Sequence, residues 1–286
     1  MGIASGTRVR HYLVEEEIGV GGMSSVWSAR DERTGAWMAL KVLNVSEAPD
    51  TARLRLLREA RAMRAIKHPA IVPVSDVFEH DATPVLVMEL LRGETLRALL
   101  MREQSVSIAR AAELLVPIAE ALTEAHAAGF VHRDLKPENI FVEQIRDDGR
   151  ENVRLLDFGV TRSFAEPPGS EETPITALGS LVGTIAYMAP EQALHPSQPD
   201  PRVDVWSFGV TLYELLSGCR PIEGDTKPEL MRQLLVGGIT PLAVLRPDLP
   251  PDIVDLVMGM LNRNPERRPA SLEPALRLLR SKLTFQ

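Results

Sequence analysis

The chain has 286 residues, 44% of them hydrophobic, with a formal net charge of −7 and a pI near 5.5. That length and apolar content suit one large domain or two small lobes with real cores, and the acidic balance argues against a nucleic-acid partner, which calls for a basic surface. The one cysteine, Cys219, excludes an internal disulfide, fits a reducing cytoplasmic setting, and lies in a helix-end and turn sequence that gives it a structural role.

Residues 1–6 carry no apolar core of the signal-peptide kind, and position 6 is Gly rather than the Ser or Thr of a myristoylation pattern. Tyr12 to Ile18 and Ser25 to Ala29 read as strands flanking a glycine loop, and Trp37 to Val42 as a third strand. Thr51 to Ile66 reads as a helix, with Leu56, Ala60 and Met63 at helical spacing and Pro69 beyond its end. Ile71 to Phe78 and Val85 to Leu90 return to strand composition, and Leu91-Arg92-Gly93 reads as a hinge. Ile108 to Ala128 is a helix with Ala112, Leu115, Ala119, Leu122 and His126 on one stripe, stopped by Gly129. Asn139 to Val142 and Val153 to Leu156 form a short hairpin. Later helices are expected at Asp204–Ser217, Lys227–Val236, Asp252–Leu261 and Leu272–Lys282. The longest apolar run, Val203 to Leu216, is interrupted by Asp204, Ser207 and Glu214, so it reads as a buried helix and the chain shows no membrane segment. Between hairpin and helices, Arg162 to Leu181 is rich in Pro, Gly, Ser, Thr and Glu and reads as a switchable loop. This order predicts an α+β chain with a small β-rich lobe, a larger α-rich lobe and a ligand cleft.

Several segments carry chemistry. In Gly19-Val20-Gly21-Gly22-Met23-Ser24-Ser25-Val26, glycines permit a tight turn and bring backbone N–H groups close to phosphate oxygens. No Gly-Lys-Ser/Thr follows, so this is not the P-loop of nucleotide hydrolases. Lys41 is a charge inside an apolar strand, either an edge lysine facing solvent or a phosphate ligand. Glu59 on the following helix is either solvated or its partner. Asp157, in Asp157-Phe158-Gly159, stands at a strand end where a carboxylate can chelate Mg²⁺. His132-Arg133-Asp134-Leu135-Lys136-Pro137-Glu138-Asn139 supplies a base or orienting carboxylate, a cation and a metal-binding amide in one loop. That is equipment for moving a phosphoryl group onto a hydroxyl.

In combination these segments resemble the eukaryotic-type Ser/Thr protein kinases, above all their bacterial members, and the resemblance runs from about Tyr12 to Leu283. Ser24 stands where many members have a third glycine. The resemblance implies a bilobal protein-kinase-like fold: an N-terminal extension (1–11), a small antiparallel β-rich N-lobe with one key helix (12–89), and a larger α-helical C-lobe (90–286), with an activation segment at 157–191. It implies ATP and Mg²⁺, with Mn²⁺ as an alternative. Asp134 then orients and deprotonates the attacking hydroxyl, Lys136 offsets charge on the γ-phosphoryl, and Asn139 and Asp157 hold metal. Lys41 holds the α- and β-phosphates and pairs with Glu59. Ile18, Gly19, Gly21, Gly22 and Ser24 belong to the loop over the nucleotide. Val26, Ala39, Phe141 and Leu156 sandwich the adenine, Met88 is the gatekeeper, and Glu89 and Leu91 offer backbone groups to the purine edge. Met63, Val74, His132 and Phe158 make an internal stack.

Gly183-Thr184-Ile185-Ala186-Tyr187-Met188-Ala189-Pro190-Glu191 resembles the end of the activation segment. Glu191 is expected as a buried carboxylate paired with Arg268, and Asp204 as the support of the catalytic loop. Lys136 and Thr184 favour protein Ser/Thr acceptors over Tyr. Arg133 beside Asp134 calls for an anion, which a phosphorylated Thr173, Thr176 or Ser180 would supply by autophosphorylation, Thr176 first. The span between Asn139 and Asp157 is longer than usual in the family, with the excess at 144–152 as a solvated hairpin tip or a docking surface. Two competitors are a pseudokinase scaffold, which would lack Lys41, Asp134 or Asp157, and a small-molecule phosphotransferase, which would lack the Ala-Pro-Glu segment. Homodimerisation, and whether the chain is complete or a catalytic piece of a longer protein, stay open.

Overall fold

The computed structural model describes residues 3–21, 24–43, 60, 63–81, 83–144, 151–157, 162–163, 182–194 and 200–283, with the backbone alone at 162–163 and 182–183. Gly22, Glu59, Phe158, Thr173, Thr176 and Ser180 lie outside these residues. So do most of the helix expected over 51–66, the hairpin tip at 145–150 and the switchable loop beyond 163.

The fold is α+β, in two compact units: Met1–Lys67 with Ile71–Arg92, and His68–Ala70 with Gly93–Gln286. The first unit is built on six antiparallel strands: β1 (Arg8–Val9), β2 (Tyr12–Val20), β3 (Ser24–Asp31), β4 (Trp37–Leu43), β5 (Val74–His80) and β6 (Thr83–Glu89), in the order β1-β2-β3-β4-β6-β5. Leu40 and Val42 of β4 join Val85 and Val87 of β6, with Val9, Tyr12, Val14, Ala29 and Phe78, in one apolar cluster. Strand side chains alternate between faces, so β4 turns Ala39, Lys41 and Leu43 the other way. The strand expected from Ile71 starts later, at Val74. Ile71 and Val72 are buried, but Pro73 has no N–H to give a ladder.

The second unit packs helices Leu96–Glu103, Ile108–Ala127, Arg202–Ser217, Lys227–Val236, Pro251–Met260 and Glu273–Leu283, with short ones at Val182–Ile185, Pro190–Leu194 and Leu242–Leu245. It also carries a three-stranded sheet of β7 (Gly93–Thr95), β9 (Ile140–Gln144) and β10 (Glu151–Leu155), and the short pair β8 (Phe130–Val131) with β11 (Arg162–Ser163). Helix Ile108–Ala127 starts where Ser107 accepts a hydrogen bond from the Arg110 N–H at 3.2 Å, and it buries Ala112, Leu115, Ala119 and Leu122 along one stripe. Helix Lys227–Val236 opens with a capping box between Thr226 and Glu229. Helix Arg202–Ser217 is buried from Val203 to Leu216, as expected of a helix apolar on nearly every side. Its polar residues therefore need partners. Ser207 donates to the Tyr187 carbonyl at 2.8 Å and Thr211 to the Ser207 carbonyl at 2.9 Å. A Cβ on Gly209 would lie 2.7 Å from Met260 Cβ, so glycine is what lets helix Pro251–Met260 come this close.

Candidate functional site

In the first unit, β4 pairs with β3 and β6 so that Val26 faces Lys41, Ser28 faces Ala39, Lys41 faces Leu86 and Ala39 faces Met88. Directly paired residues share a face. Val26, Ala39, Lys41 and Met88 therefore line one face of the sheet, opposite the core face of Leu40 and Val42. Lys41 is only 9% exposed, which removes the solvent-facing edge-lysine reading. Ser24 pairs with Leu43 on the same face. The glycine loop closes through the Gly21 N–H on the Ser24 carbonyl at 2.7 Å, and Gly19 pairs with Val26. Ile18 is exposed on β2, while Glu89 and Leu91, at and beyond the end of β6, are half-buried.

In the second unit the loop 132–139 is held from beneath by one carboxylate. Asp204 is fully buried. Its Oδ2 accepts the His132 N–H at 2.8 Å and its Oδ1 the Arg133 N–H at 2.8 Å. His126 Nε2, 2.8 Å from Oδ2, completes the set, and because a carboxylate only accepts, the proton sits on Nε2. Burial alone would push the Asp204 carboxyl up. The His126 hydrogen bond, the two neighbouring imidazoles and the Arg133 amide outweigh it and hold the group below the ordinary carboxylate range. Burial pushes the His132 imidazole down, against the pull of Asp204, Asp134 and Asp157. Arg133 takes a left-handed backbone, φ 68°, rare for a non-glycine residue. Its carbonyl accepts from Gln192 Nε2 at 2.9 Å, and Gln192 Oε1 accepts the Ala189 N–H at 2.9 Å. The loop and the Ala189-Pro190-Glu191 segment are thereby tied together.

On that scaffold Lys136 Nζ lies 3.0 and 2.9 Å from the two Asp134 carboxylate oxygens and 3.0 Å from Thr184 Oγ1. Asn139 Nδ2 donates to the Asp134 carbonyl at 2.7 Å and to Asp134 Oδ2 at 3.2 Å. Both are acceptors, so the amide nitrogen must face Asp134 and Oδ1 is the atom left for a metal. The Leu156 N–H donates to the Asn139 carbonyl at 2.9 Å, which brings Asp157 next to this loop, with Phe141 half-buried on β9 nearby. Among the described residues, no three His, Cys, Asp or Glu side chains converge to hold a metal by themselves. An Asn oxygen and a single Asp suit Mg²⁺, which is held through one or two carboxylates and completed by phosphates and water.

Glu191 and Arg268 do pair, through two parallel bonds of 2.5 and 2.7 Å. The burial falls the other way from expectation: the arginine side chain is sealed and Glu191 keeps part of its surface. Arg268 satisfies itself on the carbonyls of Asn262 and Arg202 and stacks near Trp206, 5.0 Å from the ring centre. His126, Gln192 and Arg97 escaped the sequence reading. His126 lies on the predicted apolar stripe, where a lone polar residue is the one signal of its role. The other two are defined by contacts far along the chain.

A sheet unit with a buried lysine and a helical unit carrying an Asp–Lys–Thr–Asn cluster are the features a protein kinase domain would have. The chain belongs to the protein kinase domain family, whose model matches residues 12–280. Its relatives include the serine/threonine-protein kinase PknL of Mycobacterium bovis, 39% identical over 90% of this chain and 62% of that protein. The serine/threonine-protein kinase PknA of Mycobacterium tuberculosis is 37% identical over 90% and 58%, and the serine/threonine-protein kinase pkn3 of Myxococcus xanthus 36% over 92% and 48%. The chain thus spans between about half and three-fifths of the length of these relatives. Among the described residues, no helix is long and apolar enough to cross a membrane.

Proposed function

We propose that this chain is a serine/threonine protein kinase that transfers the γ-phosphoryl of ATP, with Mg²⁺, to Ser or Thr hydroxyls of protein substrates. The observation that carries it is the Lys136 ammonium, which touches both Asp134 oxygens and the Thr184 hydroxyl at once. Asp134 is fixed by Lys136 and Asn139 so that a carboxylate oxygen can accept the hydrogen bond, and then the proton, of an incoming hydroxyl. Lys136 sits where negative charge builds up on the transferring group. Thr184 orients Lys136 and borders the acceptor position. Asn139 Oδ1 and Asp157 would hold the metal, which when bound neutralises phosphate charge. Lys41, buried on β4, supplies the cation for the remaining phosphates. The names of the relatives agree with Ser/Thr specificity.

The test is incubation with Mg²⁺ and labelled ATP, alone and with a Ser/Thr-containing acceptor protein, followed by mass spectrometry. Wild-type protein should transfer phosphate to Ser or Thr. Asp134→Asn should lower kcat by about 10³-fold or more, because it removes base and orienting charge together. Nucleotide binding without transfer by the wild type sinks the reading. Regulation is part of the proposal. Arg133, adjacent to Asp134, is taken as the anchor for a phosphate placed on Thr173, Thr176 or Ser180 by the enzyme itself.

A further inference from the structure

Arg97, on helix Leu96–Glu103, reaches three segments far apart in sequence. Its Nε donates to Glu138 Oε1 at 2.9 Å, 41 residues on, inside the catalytic loop. Its Nη1 donates to Glu214 Oε1 at 2.8 Å, 117 residues on, in the buried helix Arg202–Ser217. Its Nη2 donates to the Tyr187 hydroxyl, 90 residues on, and that hydroxyl donates to Glu214 Oε2. The guanidinium also lies 5.8 Å from the Tyr187 ring centre. Glu138 stands between Lys136 and Asn139, and Tyr187 one helical turn after Thr184. Two arms of the fork therefore end on residues close in sequence to members of the Asp134 cluster, and the third ends on Glu214 of the buried helix.

Burial works against the Arg97 charge, yet the surrounding Glu214, Tyr187 and Glu138 raise its pKa above the ordinary arginine value. Burial and the Glu214 charge likewise push the Tyr187 phenol above its ordinary value. The guanidinium thus stays charged and the phenol neutral within the network. A planar fork with five N–H donors can serve three partners in fixed directions, which an ammonium cannot. Arg97 and Glu214 are mostly buried, so removing either leaves the other short of a partner, while Glu138 keeps 43% of its side chain exposed.

We propose that Arg97 is a positioning residue for phosphoryl transfer: it sets the catalytic loop, through Glu138, against the Thr184-bearing segment, through Tyr187, on the fixed post of Glu214. This rests on the kinase reading above. The same Arg is ion-paired to both Glu138 and Glu214.

The experiment compares wild type, Arg97→Met, Arg97→Lys and Tyr187→Phe by steady-state kinetics and by hydrogen exchange with mass spectrometry. Misplacing reacting groups by a fraction of an ångström to 1 Å costs up to about 100-fold, so Arg97→Met is expected to lower kcat by about 30- to 100-fold, with KM for ATP within about twofold. Arg97→Lys should recover only part of the loss, and Tyr187→Phe should lose about 10-fold. In both Arg97→Met and Tyr187→Phe, amide protection should fall selectively in 132–139 and 184–188. A purely structural role would instead lower protection across the whole second unit with kcat unchanged per folded molecule. That result overturns the proposal, as does full recovery by Arg97→Lys. If Arg97→Met does not fold, Tyr187→Phe, which deletes one hydroxyl, decides alone. The exchange measurement needs no turnover, so a wild type without transfer would count against the kinase reading and leave the exchange result to judge Arg97.

Discussion

Asp204 and His132 show how single buried groups fix the loop 132–139 and leave a pH signature. Asp204 satisfies the two amides at 132 and 133, so Asp204→Ala strands both in a site closed to water and should cost about 3 kcal/mol or more of stability. Asp204 has a depressed folded pKa, so its contribution is fully present above its unfolded value of 3.8 and is lost only as pH falls through the lower folded value. His132 acts earlier. Its unfolded pKa is about 6.5 and its folded value lies below that. Above pH 6.5 both states are neutral there and no slope arises. As pH drops below 6.5 the unfolded chain takes the proton first, and stability falls by at most about 1.4 kcal/mol per pH unit from this group. His68, also depressed by burial, adds a slope of the same sign. The Tm of the wild type should therefore decline between pH 7 and pH 5, and His132→Phe should flatten the decline. Parallel curves for the two proteins would show that His132 is not titrating differently in the folded state.

At the scale of elements, sheet and buried-helix segments were legible because apolar periodicity shows directly which face is covered. Trp37–Leu43 and Arg202–Ser217 are cases of each kind. Helix Leu96–Glu103 was not read, since it is short and follows a hinge-like Leu91-Arg92-Gly93; its one local signal is Thr95, which accepts the Ala98 N–H at 3.2 Å. The β8–β11 pair was missed for another reason: two-residue strands joined over a long separation leave no period to detect. The junction at Gly93 yields a prediction of its own. Gly93 has φ 150°, and a Cβ there would stand 2.0 Å from the Val142 carbonyl oxygen across the β7–β9 ladder. Gly93→Ala must break that ladder or strain the backbone, and urea denaturation should show a loss of about 2–4 kcal/mol. The loop beyond Ser163 is read from composition alone. If its phosphate docks on Arg133, Thr176→Ala should lower activity about 10-fold or more, and Thr173→Ala/Thr176→Ala/Ser180→Ala further. Full activity in the triple variant would remove loop phosphorylation as the switch.

Over the whole molecule, the motif residues of the site could be read because short local strings carry them: Asp134, Lys136 and Asn139 sit within one loop. Their supports could not, because His126, Gln192 and Arg97 reach across 41 to 117 residues to the partners that matter here, and such pairs leave no mark in local sequence. The nucleotide-handling residues proposed here are likewise dispersed, with Lys41 in the first unit and Asp157 in the second. A ligand that binds only the folded state raises stability by RT ln(1 + [L]/Kd), about 2.7 kcal/mol at one hundred times Kd. For a chain of this size that is a rise in Tm of about 5 °C or somewhat more. Mg²⁺-ATP should give such a rise in the wild type. Lys41→Met and Asp157→Asn should each remove most of it, since each deletes a charge assigned to the phosphates or their metal. Asp134→Asn should keep it, because that carboxylate is assigned to the acceptor hydroxyl and not to the nucleotide. A rise that survives Lys41→Met unchanged, or vanishes in Asp134→Asn, would break this division of roles between binding and transfer.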